Sequence, residues 1–134
     1  MIVACDGASR GNPGPAGAGA QITDEDGVVL AEIAEGLGEA TNNVAEYTAV
    51  IRGLERAREI GASDVLLRSD SQLLINQLNG RYRVKTPHLQ PLHARVRDLA
   101  AGFDSVEYEH VRRELNGEAD RLANQGVDDW LAAP

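Results

Sequence analysis

Apolar and polar positions change period several times along the chain. Residues 2–5 are a short apolar run closed by Asp6, the pattern of a buried strand over about 2–6. Residues 17–22 are small and glycine-rich, which predicts a second strand with something passing close to it. The acidic stretch TDEDG at 23–27 ends in Asp-Gly, a strong hairpin signal. A third strand follows over about 28–35, so the first three strands form an antiparallel meander.

The period then becomes helical. In residues 40–63, Tyr47, Val50, Ile51, Leu54 and Ala57 fall on one face. Thr41 or Asn42 suits the start of this helix and Gly61 its end. VLLRSD (65–70) is an apolar run ending in an acid, again a buried strand, and 71–80 predicts a short helix closed by Asn-Gly. A further helix over 88–102 tolerates Pro91 only in its first turn. Residues 105–111 alternate as a strand. The last helix, 116–132, has Asn116 as its cap and offers Leu122, Ala123, Val127 and Trp130 to the core. The order β-β-β-α-β-α-α-β-α predicts an α/β domain, one mixed sheet with helices on both faces.

At 134 residues the chain fits one domain. Residues 128–134 read as a fraying end or the start of a linker, so a longer chain with this domain at its N-terminus stays open. No apolar stretch is long enough to span a membrane, and the start lacks the pattern of a signal peptide. The one cysteine, Cys5, reads as a small buried hydrophobe, and a cytoplasmic monomer is the default expectation. The net charge of −8 argues against nucleic acid. Its distribution weakens that objection, because Arg81, Arg83 and Lys85 cluster, as do Arg112 and Arg113, and Lys85 is the only base that is not arginine.

The placement of the acids carries the chemistry. Asp6 and Asp70 each close an apolar strand, and parallel neighbours bring such ends side by side, where ligands bind. Glu46 and Asp120 lie in the early turns of their helices, at the margin of the apolar face. A carboxylate there is costly unless paired. Two unit charges ~4 Å apart repel by about 4 kcal/mol at an effective dielectric of 20. Oxygen-only ligands suit Mg²⁺ or Mn²⁺, and two such ions form the usual device for phosphodiester cleavage. Each acid also has an ordinary structural reading: a turn at Asp6, a cap at Asp70-Ser71, helix-dipole acids at Glu46 and Asp120.

The words DGASRGNPGPAGAGA, TNNVAEYTAVIRGLE, SDSQLLINQL and NGEADRLAN, in this order, resemble the type 1 ribonuclease H family through nearly the whole chain. The resemblance implies a ribonuclease H-like fold with sheet order 3-2-1-4-5. It also implies two Mg²⁺ ions, replaceable by Mn²⁺, held by Asp6, Glu46, Asp70 and Asp120. Asn12, Asn42, Asn43 and Gln72 match residues that contact an RNA–DNA hybrid in its minor groove, and Thr41 a position near a DNA-strand phosphate. The implied activity is hydrolysis of the RNA strand of the hybrid, leaving 5′-phosphate and 3′-hydroxyl ends. Amides suit a shallow groove displaying 2′-hydroxyls, and glycine at 7, 11 and 14 lets the backbone approach the nucleic acid.

Two departures stand out. The basic, tryptophan-containing protrusion of many members is reduced here to GRYRVKTPHL, so affinity is expected to lean on Arg81, Arg83 and Lys85. The histidine loop before the last acid is compacted to HVRREL, with Arg113 as the expected stand-in at phosphate and His110 as structural. His88 and His93 are expected to be surface or packing residues. Compact members also raise duplex RNA as a second substrate. Two rivals are a nucleotide-binding loop at 7–17 and a silent hybrid-binding module. The first lacks the Lys-Ser/Thr of a phosphate loop and leads into a strand; the second leaves four acids unexplained.

Overall fold

The computed structural model describes residues 1–134. The chain runs β1 (Ile2–Ser9), β2 (Gly14–Thr23), β3 (Val29–Ala40), α1 (Asn42–Ile60), β4 (Asp64–Ser69), α2 (Gln72–Leu78), α3 (Gln90–Ala100), β5 (Ser105–His110) and α4 (Gly117–Ala132). The five strands form one sheet in the order β3-β2-β1-β4-β5. β1, β2 and β3 are antiparallel, and β4 and β5 run parallel to β1. Element order and sheet order agree with the sequence expectation.

The two faces are built differently. On one, Val3, Cys5, Ala18, Ala20 and Ile22 of the sheet bury against Tyr47, Val50, Leu54 and Ala57 of α1, with Val96 and Leu99 of α3 behind them. The apolar stripe read for α1 is therefore its core face. Thr41 caps this helix, its Oγ1 accepting from the Val44 amide at 3.2 Å, and Gly61 ends it at φ 95°. The other face of β2 is nearly bare, because α4 lies on it. A Cβ on Gly17 or Gly19 would run into the backbone of Ala123. The close passage expected at the glycine-rich strand is made by α4.

Several boundaries move, for physical reasons. β1 does not end at Asp6; the small residues beyond it stay paired with β2, out to Ser9 opposite Ala16. β2 and β3 lengthen with it, as antiparallel ladders satisfy backbone groups whatever the side chains. Asn116 holds the N-cap position of α4, as expected, but its side chain makes no cap hydrogen bond. It is 3% exposed, and its Nδ2 donates to the Cys5 carbonyl at 2.9 Å, a long-range bond that replaces the local cap. Trp130 stays 42% exposed, its ring lying over the glycines of β3 rather than in the core. Pro91 sits in the first turn of α3, as expected.

Candidate active site

β1 and β4 pair in parallel with a constant offset, Ile2 with Leu66 through Ala4 with Arg68. Continued two residues, that offset sets Asp6 beside Asp70. β4 stops at Ser69, whereas β1 runs on, so the two acids stand where the sheet opens. Ser71 rather than Asp70 caps α2, its Oγ accepting from the Leu74 amide at 3.2 Å, which leaves the Asp70 carboxylate free to face the opening. α1 brings Glu46 from one side of the sheet and α4 brings Asp120 from the other. Asp6, Glu46, Asp70 and Asp120 line one cleft of about 470 Å³, with Gly7, Asn42, Ser71 and Arg113.

The electrostatics show how closely the acids crowd. Burial, then the charge of Asp70, then the hydrogen bond and charge of Asp120, and last the charge of Glu46, push the Asp6 carboxyl up to about 8. Burial raises Glu46 as well; a hydrogen bond from Ser71 opposes that rise, and the charge of Asp70 adds to it. Glu46 Oε2 is buried with no hydrogen-bond partner. A buried carboxylate oxygen without a donor is strongly disfavoured. No set of three acidic, histidine or cysteine side chains is drawn tightly enough to enclose an ion. The acids stand around an open cleft rather than in a closed cage. The donor set, all hard oxygen with one orphaned, fits Mg²⁺ or Mn²⁺.

The remaining expected residues divide. Arg113 lies over the cleft, its Nε 3.5 Å from Asp70 Oδ2, with its side chain 89% exposed against 14% for Asp70. Asn42 lines the cleft, and its backbone amide donates to Asn12 Oδ1 at 3.2 Å, tying Asn12 to the start of α1. Asn43 is exposed on the first turn of α1, while the Thr41 hydroxyl is engaged as the cap. Gln72 lies in a neighbouring hollow with Asn76, Asn79 and Arg81. Gly7 lines the cleft, but its lack of a side chain serves packing: a Cβ would lie 2.8 Å from Ala45 Cβ and nearer still to the Glu46 amide nitrogen. Arg81, Arg83 and Lys85 form no ion pair, whereas Arg10, Arg52, Arg68 and Arg121 are tied to carboxylates. His110 lies outside the cleft, and His93 packs edge-on against Tyr47. Ser71 entered the sequence reading only within the Asp70-Ser71 cap, not as a neighbour of Glu46. Its signal was present, because a serine after a strand-ending acid and before a helix is a cap with a hydroxyl proton to spare.

Residues 4–126 match the family model described as reverse transcriptase-like. The chain is 48% identical over 124 residues to a ribonuclease HI of Halobacterium salinarum, covering 92% of this chain and 62% of that protein. It is 46% identical over 129 residues to a bifunctional protein of Mycobacterium tuberculosis, covering 96% of this chain and 35% of that one. The chain thus spans about a third of the length of the mycobacterial relative it matches. Among solved structures, LC11-RNase H1 in complex with an RNA/DNA hybrid superposes with a TM-score of 0.92 at 41% identity, over 98% of this chain and 99% of that one. With its sheet order, its acid-lined cleft and these relatives taken together, the chain belongs to the type 1 ribonuclease H family.

Proposed function

We propose that this domain is a metal-dependent endoribonuclease that hydrolyses the RNA strand of RNA–DNA hybrids, leaving 5′-phosphate and 3′-hydroxyl ends. The observation that carries this reading is the cleft in which Asp6, Glu46, Asp70 and Asp120 meet and Glu46 Oε2 is buried without a partner. These four residues would hold two divalent ions, Mg²⁺ or Mn²⁺. When bound, such a pair supplies an activated water at neutral pH and charge stabilisation of the leaving oxygen.

The chain's own residues do the rest. Water attacks the phosphorus, the bond to the ribose 3′-oxygen breaks, and that oxygen takes a proton. Arg113, exposed above Asp70, meets the phosphate with its planar, positively charged fork. Asn12, Asn42, Asn43 and Gln72 offer amides that both donate and accept, the chemistry needed for 2′-hydroxyls and base edges in a wide minor groove. Thr41 and Gly7 fix the start of α1, and with it Glu46, against β1. Arg81, Arg83 and Lys85, free of ion pairs, take phosphates farther along the duplex.

The test is a panel of labelled RNA–DNA hybrid, duplex RNA and duplex DNA, each with Mg²⁺, Mn²⁺ or EDTA, followed by analysis of the product ends. Metal-dependent cutting of the hybrid's RNA strand with 5′-phosphate ends is expected. Cutting of duplex RNA as well would widen the substrate class. Metal-independent cutting, or hybrid binding with no cutting, would overturn the reading.

A further inference from the structure

The loop between β1 and β2 carries Asn12 and is tied down on both flanks. On one flank Asn12 Oδ1 accepts from the Asn42 amide at 3.2 Å, and Ser9 Oγ donates to the Ala40 carbonyl at 2.8 Å. On the other flank Arg10 reaches across to α4. Its Nη1 lies 2.7 Å from Asp128 Oδ1, and its Nη2 donates at 3.4 Å to both the backbone carbonyl and Oδ1 of Asn124. Asn124 Nδ2 then donates to the Asp120 carbonyl at 3.0 Å and to Asp120 Oδ1 at 3.4 Å. The amide orientation is dictated by its partners: a guanidinium only donates and an ionised carboxylate only accepts.

Asp120 needs such a tether more than the other three acids do. Asp6, Glu46 and Asp70 are partly buried, so packing restricts their side chains, whereas Asp120 is exposed. The hydrogen bond to Asp120 Oδ1 comes from Asn124, a neutral donor that adds no charge to the site.

We propose that Asn124 is a positioning residue for Asp120 and that Arg10 orients Asn124, so that the loop presenting Asn12 to the minor groove is mechanically joined to one wall of the catalytic cleft. The proposal rests on the metal-dependent reading above. Ligating carboxylates are themselves commonly held by hydrogen bonds, and loss of such an outer partner typically costs 10–100-fold in metal affinity or activity.

The experiment is Mn²⁺ titration by calorimetry on the wild type, Asn124→Ala, Arg10→Ala, Arg10→Lys and the double variant Arg10→Ala/Asn124→Ala. Hybrid cleavage kinetics and melting temperature are followed beside it. Asn124→Ala is expected to weaken Mn²⁺ binding about tenfold. It should lower kcat at limiting Mg²⁺, leave KM for hybrid within about twofold, and shift the Tm little, because the bonds are exposed. Arg10→Lys keeps an ion pair with Asp128 but loses the fork to Asn124, so its Mn²⁺ binding should weaken as much as that of Arg10→Ala. The double variant should be no worse than Asn124→Ala. Wild-type Mn²⁺ affinity in Asn124→Ala, or strict additivity in the double variant, would overturn the proposal. If the wild type itself neither bound Mn²⁺ nor cut hybrid, the functional reading would fall first, so the two failures are distinguishable.

Discussion

Replacing Gly7 by alanine adds one methyl group at the point where β1 meets the start of α1. That methyl would lie 2.8 Å from Ala45 Cβ and closer to the Glu46 amide nitrogen and the Ala45 carbonyl carbon. Carbon atoms settle about 3.5–4.0 Å apart. The Ala45 carbonyl carbon would be only 2.4 Å away, so the helix start must withdraw by roughly 1.1–1.6 Å, and Glu46 withdraws with it. Overpacking of this kind costs about 1–3 kcal/mol. For a domain of this size, at roughly 4 °C per kcal/mol, the Tm should fall by about 4–12 °C. A displacement near 1 Å at a reacting centre is worth on the order of 10²-fold in rate. At 20 °C, where the variant is still folded, its kcat on RNA–DNA hybrid should drop about 10–100-fold, with KM less affected. The assay pairs thermal melting by circular dichroism with initial rates on labelled hybrid. Gly117→Ala is the control, since a Cβ there meets nothing within 4 Å; its Tm should hold or rise slightly. A Gly7→Ala protein with wild-type Tm and wild-type rate would refute the packing argument.

Other outcomes follow from the same geometry. In EDTA, Asp6 binds a proton in the folded protein at pH values where the unfolded chain has released it, since its carboxyl is raised to about 8. The stability it contributes is therefore full below the ordinary carboxylate range and is lost as pH rises through about 8. Melts in EDTA from pH 4 to 9 should show this decline, Asp6→Asn should flatten it, and a flat wild-type profile would contradict the crowding described for the cleft. The triple variant Arg81→Ala/Arg83→Ala/Lys85→Ala should bind hybrid more weakly. Its slope of log K against log salt should be shallower by about 2–3, from about 0.9 for each phosphate no longer neutralised, with kcat at saturation retained; an unchanged slope would remove these residues from the interface. Ser71→Ala should lose about 1 kcal/mol of helix capping and also lower kcat, because Glu46 loses a donor, whereas Ser71→Thr should keep both.

Much of the framework was legible because the periodicities were clean. Tyr47, Val50, Ile51, Leu54 and Ala57 recur at helical spacing, and all five are buried on α1. Asp6 and Asp70 each close an apolar stretch, which sufficed to place them as neighbours, although β1 runs on past Asp6 to Ser9. What the pattern hid was long-range. Residues 7–9, Gly-Ala-Ser, look like loop because they are small and lead into a Gly/Pro-rich stretch, yet their backbones pair with β2. Asn116 has the local chemistry of a cap, but the distant Cys5 carbonyl claims its amide. Glycines in β2 announced a close approach without saying what approached; α4 was identified only by the packing of Ala123 against Gly17 and Gly19. The Arg10–Asn124–Asp120 connection joins residues more than a hundred positions apart, and no local period encodes it.

If the four acids work through bound metal on the RNA strand, cutting must need both the metal and the acids. The measurement that decides this is the single-turnover cleavage rate of hybrid labelled on its RNA strand. It should be taken in Mg²⁺, after EDTA, and after Mg²⁺ is restored, for the wild type and for Asp70→Asn, with the melting curve of each protein recorded beside it. Cutting is expected to disappear in EDTA, to return with Mg²⁺, and to be abolished in an Asp70→Asn protein that remains folded. A folded Asp70→Asn protein that cuts at the wild-type rate, or a wild type indifferent to EDTA, would contradict the role given to the four acids.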